Sequence, residues 1–82
     1  MKVHVIITES CYDYEANKVE VDVFDSFKKA REVFDEYVKN EKREADSLEW
    51  ETEESMFSFT AWEQDYYDSN HISIEMREEE VR

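Results

Sequence analysis

The residues able to do covalent or metal chemistry are few in this chain. One cysteine, Cys11, and two histidines, His4 and His71, supply all of its thiol and imidazole groups. A thiol beside an imidazole makes a nucleophile and its base. No third orienting group is identifiable for such a pair, and a surplus of carboxylates disfavours the thiolate. Zinc asks for three or four ligands at suitable spacing, and the sequence holds neither a CxxC nor an HxxxH. Paired carboxylates for glycoside hydrolysis need a substrate cleft, for which 82 residues leave little depth. There is no glycine and no proline. The phosphate-cradling loops, the dinucleotide fingerprint and the EF-hand calcium loop all require glycine. The expectation is a non-enzymatic protein without metal or cofactor.

Carboxylates are what the chain has in excess: 23 Asp and Glu against 10 Lys and Arg, a net charge of −13. Residues 1–43 carry 8 basic and 10 acidic side chains, a net of −2; residues 44–82 carry 2 and 13, a net of −11. Glu49, Glu51 and Glu53 recur at every second residue, which on a strand places them on one face roughly 6.7 Å apart. Glu75 extends that face from a later strand, and Asp65 and Asp68 flank it. Trp62, Tyr66 and Tyr67 are interleaved with these acids, and such aromatics are frequent anchors at interfaces. Trp50, by its phase, belongs to the core. Two readings of the acids stand side by side. A half-exposed strand is polar on its outer face in any case, and acidity serves solubility. Alternatively, a row of carboxylates resembles in charge the phosphates of a nucleic acid strand and suits a basic partner. Direct nucleic-acid binding is opposed by the net charge.

The elements that would position these groups follow from hydrophobic period. Residues 2–9 alternate, with Val3, Val5 and Ile7 on one face. Residues 18–24 alternate again, with Val19, Val21 and Val23 together, and the two runs read as an antiparallel hairpin. At Asp25-Ser26, both good N-caps, the period lengthens. Phe27, Ala30, Phe34, Tyr37 and Val38 predict an amphipathic helix to about Lys42–Ala45, with Lys42 and Arg43 suiting its C-terminal dipole. Period two then returns through Leu48 and Trp50, a tight turn at Glu54-Ser55, and a strand through Phe57, Phe59 and Ala61. A last strand carries Ile72, Ile74 and Met76 inward, and a tail from Glu78 frays. Turns with positive φ fall to Asn17, Asp68 and Asn70, the best substitutes for glycine. The expected class is α+β: a single domain over residues 1–82, in ββαβββ order. Its mostly antiparallel sheet has one helix on one face, which accounts for every apolar stripe.

Nothing approaches the roughly 20 apolar residues of a membrane span, the N-terminus lacks a signal-peptide stretch, and one cysteine makes no internal disulfide. A cytoplasmic setting fits these features. The run Val21-Asp22-Val23-Phe24-Asp25-Ser26-Phe27-Lys28-Lys29-Ala30-Arg31-Glu32-Val33-Phe34, with the later Tyr67-Asp68-Ser69-Asn70-His71, resembles small uncharacterised acidic α+β proteins of bacteria and their mobile elements and phages. Size and acidity also resemble phage-encoded inhibitors that mimic DNA, an analogy of charge alone. The functional expectation is a protein-binding module whose C-terminal sheet face (Glu49, Glu51, Glu53, Trp62, Asp65, Tyr66, Tyr67, Asp68, Glu75) engages a basic, nucleic-acid-binding protein. The alternative is a self-associating structural protein, a homodimer with no specialised site.

Overall fold

A computed structural model describes residues 1–11, 18–63 and 70–81. Strands β1 (Lys2–Cys11), β2 (Lys18–Phe24), β3 (Glu51–Ser55), β4 (Ser58–Trp62) and β5 (His71–Glu80) form one sheet, and helix α1 (Phe27–Leu48) lies between β2 and β3 in sequence. The sheet order is β2-β1-β5-β4-β3, and every neighbouring pair is antiparallel. The fold is a small α+β domain in ββαβββ order, as the periodicity predicts. β1 and β5 are the long central pair, matched from Lys2↔Glu80 to Cys11↔His71. α1 carries the chain from one edge of the sheet to the other, and its 22 residues span about 33 Å.

Ser26 caps the helix: its hydroxyl accepts from the Lys29 N–H at 3.3 Å, satisfying one of the orphan donors of the first turn. Ala30, Phe34, Val38 and Ala45 recur on one side and are buried against Ile6, Phe59, Ala61, Ile72, Ile74 and Met76. Phe59, Ile6 and Ile74 are the largest side chains sealed there.

The helix is longer than its apolar stripe suggests. It runs to Leu48 and ends in a Schellman arrangement, with Glu49 donating to the Asp46 carbonyl at 3.2 Å and Trp50 to the Ala45 carbonyl at 2.9 Å. Glu49 adopts φ 59° and ψ 35°. It is the single left-handed residue among those described. That position normally takes glycine; this chain has none, so a glutamate fills it. Asn70 is not left-handed, and Asn17 and Asp68 lie outside the described residues. With the helix end at Leu48, Lys42 and Arg43 lie before the last turn, which holds no basic residue. The dipole argument for them therefore falls.

Three further corrections concern the strands. The β3–β4 turn falls at Met56-Phe57 rather than Glu54-Ser55. Ser55 and Ser58 close it with a hydroxyl–hydroxyl contact at 2.6 Å. The C-terminal glutamates do not fray: Glu78, Glu79 and Glu80 pair with β1, and the Val81 N–H donates to the Met1 carbonyl at 2.8 Å. Most consequentially, one helix does not cover every apolar stripe. On β1 the apolar residue facing the helix is Ile6, fully buried, while Val19, Val21 and Val23 of β2 are 56, 57 and 61% exposed. The register places Ile6 beside Asp22 and Met76, and Val5 and Ile7 beside Val23 and Val21. Val3, Val5 and Ile7 therefore stand with the three β2 valines on the face turned away from α1. On the helix side β1 carries Ile6 between His4 and Thr8, so its more aliphatic face is the one that α1 leaves open.

Candidate functional site

The candidate site is the sheet face opposite the helix, and the strand registers map it row by row. One row reads Val19, Glu9, Ser73, Thr60, Glu53; the next reads Val21, Ile7, Glu75, Ser58, Ser55; a third reads Cys11, His71, Trp62, Glu51. Directly paired residues share a face, so Glu51, Glu53, Trp62 and Glu75 project on the same side. Glu51 and Glu53 are exposed at the β3 edge, while Trp62 and Glu75 are half-buried.

Glu49 does not join them. Its left-handed backbone at the helix terminus takes it out of the strand, because the Schellman turn consumes the two residues that period two assigned to β3. Trp50 packs against the core, as its phase predicts, but as the residue after the helix cap rather than as a strand residue. Asp65, Tyr66, Tyr67 and Asp68 lie outside the described residues. The segment that holds them is bracketed by Glu63 and Asn70, joined by Glu63 N–H to Asn70 carbonyl at 3.1 Å and by the Asn70 amide to the Glu63 carboxylate at 2.6 Å.

The carboxylates of this face are not equivalent. Glu75 receives two hydrogen bonds from the Arg77 guanidinium, at 2.8 and 3.1 Å, a fork-to-fork pair two residues apart on one strand. For Glu51 and Glu53 no ion-pair partner stands among the described residues. The β3 acid on the helix side, Glu54, is neutralised by Lys42 at 2.7 Å. The residues of β3 thus sort by face, with Glu54 tied to the helix and Glu51 and Glu53 left to solvent.

Sequence reasoning missed the device that holds this edge. Arg31 lies over the rings of Phe34 and Phe57, 5.2 and 5.8 Å from their centroids. It donates to the Met56 carbonyl and pairs with Asp35 at 3.1 Å. One guanidinium therefore fastens the β3–β4 turn to the helix. The i,i+4 spacing of Arg31 and Asp35 is legible in sequence; the reach to the turn is not. The valine half of the open face was missed as well, because its period was assigned to the core.

The register also sets Cys11 opposite His71, 60 residues apart in sequence. Cys11 is buried. Among the described residues no three His, Cys, Asp or Glu side chains are placed to hold a metal ion, and no helix is long and apolar enough to cross a membrane. On the helix side, Glu41 has a carboxyl group held above its ordinary range by burial and by the neighbouring charge of Glu44. It lines a crevice of about 200 Å³ with Thr8, Glu20, Tyr37, Asn40 and Ile74. Tyr37 donates to the Asp22 carboxylate at 3.1 Å. No family model matches the chain, and no curated protein or solved structure matches it either.

Proposed function

We propose that this protein is a non-catalytic binding module whose open sheet face engages a basic partner protein. The observation that carries the reading is the sorting of charge on β3: Glu51 and Glu53 share the open face with Trp62 and are exposed, while Glu54, on the other face, is paired with Lys42. Adjacent like charges left to solvent oppose the compact state and are relieved by a partner's cations. A half-buried tryptophan in the next strand supplies the apolar contact that an interface centre needs. A nucleic-acid-binding protein is the favoured partner class. Its groove is built to receive anions at a spacing of a few ångströms, and the chain's −11 half brings the charge. The resemblance to small acidic proteins of bacteria, their mobile elements and phages agrees with an inhibitory role of this kind in a cytoplasmic setting. A displacement assay tests it: the protein is titrated into a lysine-rich DNA-binding protein holding fluorescent duplex DNA. Release of the DNA at low salt, suppressed as salt rises, is the expected result. Retention of the DNA at every ratio would contradict the inhibitory reading.

The alternative, self-association, draws on the valine half of the same face. Six aliphatic side chains of β1 and β2 stand together there, and an exposed apolar patch of that sort is a common contact surface. Salt discriminates the two. Apolar self-association of a chain carrying −13 strengthens with salt, whereas engagement of a basic partner weakens. Sedimentation across a salt series reads the sign.

A further inference from the structure

A second docking element lies at the opposite edge of the sheet and does not depend on the acidic β3 stripe. β2 is an edge strand, and among the described elements it touches only β1 and α1. Its outer backbone groups are therefore a template for another strand. The side chains beside that edge are sorted by face. Val19, Val21 and Val23 line the open side, and Glu20 and Asp22 line the helix side. The crevice bounded by Glu20, Tyr37 and Glu41 opens beside the acidic positions.

We infer that β2 accepts an extended segment of a partner protein in which aliphatic residues alternate with lysine or arginine, added as a sixth strand. The main-chain hydrogen bonds supply affinity and the alternation supplies specificity, as in other strand-addition complexes. In the matching register the partner's aliphatic residues meet the valines and its cations meet Glu20 and Asp22. Charge selects this occupant over a second copy of the chain. An antiparallel β2–β2 pair centred on Val21 sets Glu20 opposite the copy's Asp22 twice, and like charges directly opposite are destabilising. Shifting the centre to Glu20 gains two pairings of Lys18 with Asp22, but it sets Glu20 against itself and shortens the described overlap to the five residues Lys18–Asp22. A cation beside Glu20 also faces the crevice lined by Glu41, a half-buried carboxyl group already crowded by the charge of Glu44.

The test is an amide-resolved NMR titration of the whole chain with a synthetic peptide of alternating valine and lysine. The expected result is that amides of Lys18–Phe24 shift and exchange more slowly. Glu20→Lys with Asp22→Lys weakens binding by about tenfold. Glu20→Gln with Asp22→Asn weakens it less and keeps an acceptor for Tyr37, which preserves the test should the charge reversal unfold the chain. Glu51→Gln with Glu53→Gln, which removes the other acidic face as a site for this cationic peptide, leaves the shifts at Lys18–Phe24 in place. That pair separates this inference from the function proposed above. A peptide N-methylated along one edge, unable to pair, fails to bind. The inference is overturned if the N-methylated peptide binds equally. It is also overturned if the shifts fall on β3 and β4 instead, or if the peptide-free chain already dimerises through β2.

Discussion

Val19 and Glu53 stand at the two ends of a single cross-sheet row, through Glu9, Ser73 and Thr60. Four strand spacings separate them, about 19 Å. One face of the sheet is thus aliphatic at one edge and acidic at the other, and the helix covers neither. This gradient is the central feature of the molecule. It arises because α1 occupies the opposite face, where Ile6, Phe59 and Ile74 already provide the sealed core.

The helix terminus makes the first prediction. Glu49 holds a left-handed conformation that costs a residue with a Cβ roughly 1–2 kcal/mol. Glu49→Gly is expected to raise stability by about 0.5–1 kcal/mol, after the extra freedom glycine gives the unfolded chain is subtracted. Thermal melting would show a rise of a few degrees in Tm for a domain of this size. An unchanged or lower Tm would mean that Glu49 makes a compensating contact at the cap.

The clamp at Arg31 makes the second. Arg31→Ala removes a stacked guanidinium, an ion pair and a carbonyl contact together, and is expected to cost about 1–2 kcal/mol. Arg31→Lys keeps the charge but not the planar fork, and is expected to recover less than half of the loss. Chemical denaturation measures both, and hydrogen exchange at Met56 and Phe57 should rise in each.

Glu41 makes the third. Burial and Glu44 hold its pKa above the ordinary value, so the folded state binds this proton more readily than the unfolded chain. Stability therefore falls as pH rises from the unfolded pKa through the folded one, and is regained as pH falls back through that window. Glu41→Gln is expected to raise Tm at neutral pH and to flatten the Tm profile across the mildly acidic range. Parallel profiles for the two proteins would refute the assignment.

Much of the fold was legible because period is a direct consequence of which face is buried. The change from two to 3.6 at Ser26 and the return to two near residue 50 are set by the side chains themselves, so the element order could be read. What period cannot report is which of two apolar faces a lone helix selects. β1 offers Val3, Val5 and Ile7 on one side and Ile6 on the other, and only the pairing of Ile6 with Met76 decides that the valine side stays open. The boundary at Glu49 was illegible for a different reason. A left-handed cap is ordinarily announced by glycine, and here a glutamate at strand-like spacing concealed it. Within the acidic site, alternation puts Glu51 and Glu53 on one face, while Glu75 joins them only through the register of β3, β4 and β5. The bidentate tie between Glu75 and Arg77 depends on side-chain rotamers, which alternation does not specify.

The acidic stripe also makes a prediction about stability that separates function from folding. Because Glu51 and Glu53 are exposed, Glu51→Lys with Glu53→Lys is expected to change unfolding free energy by no more than about 0.5 kcal/mol per site. Circular dichroism melts would verify it. A larger loss would mean that these acids hold the edge in place rather than face a partner.

That charge-reversed chain also provides the most direct test of the binding role. Its affinity for a lysine-rich DNA-binding protein, compared with that of the native chain by calorimetric titration across a salt series, reads the claim in one experiment. The account predicts at least about a tenfold loss of affinity and a shallower dependence on salt, with the fold intact. Equal affinity and equal salt dependence for the two proteins would contradict it.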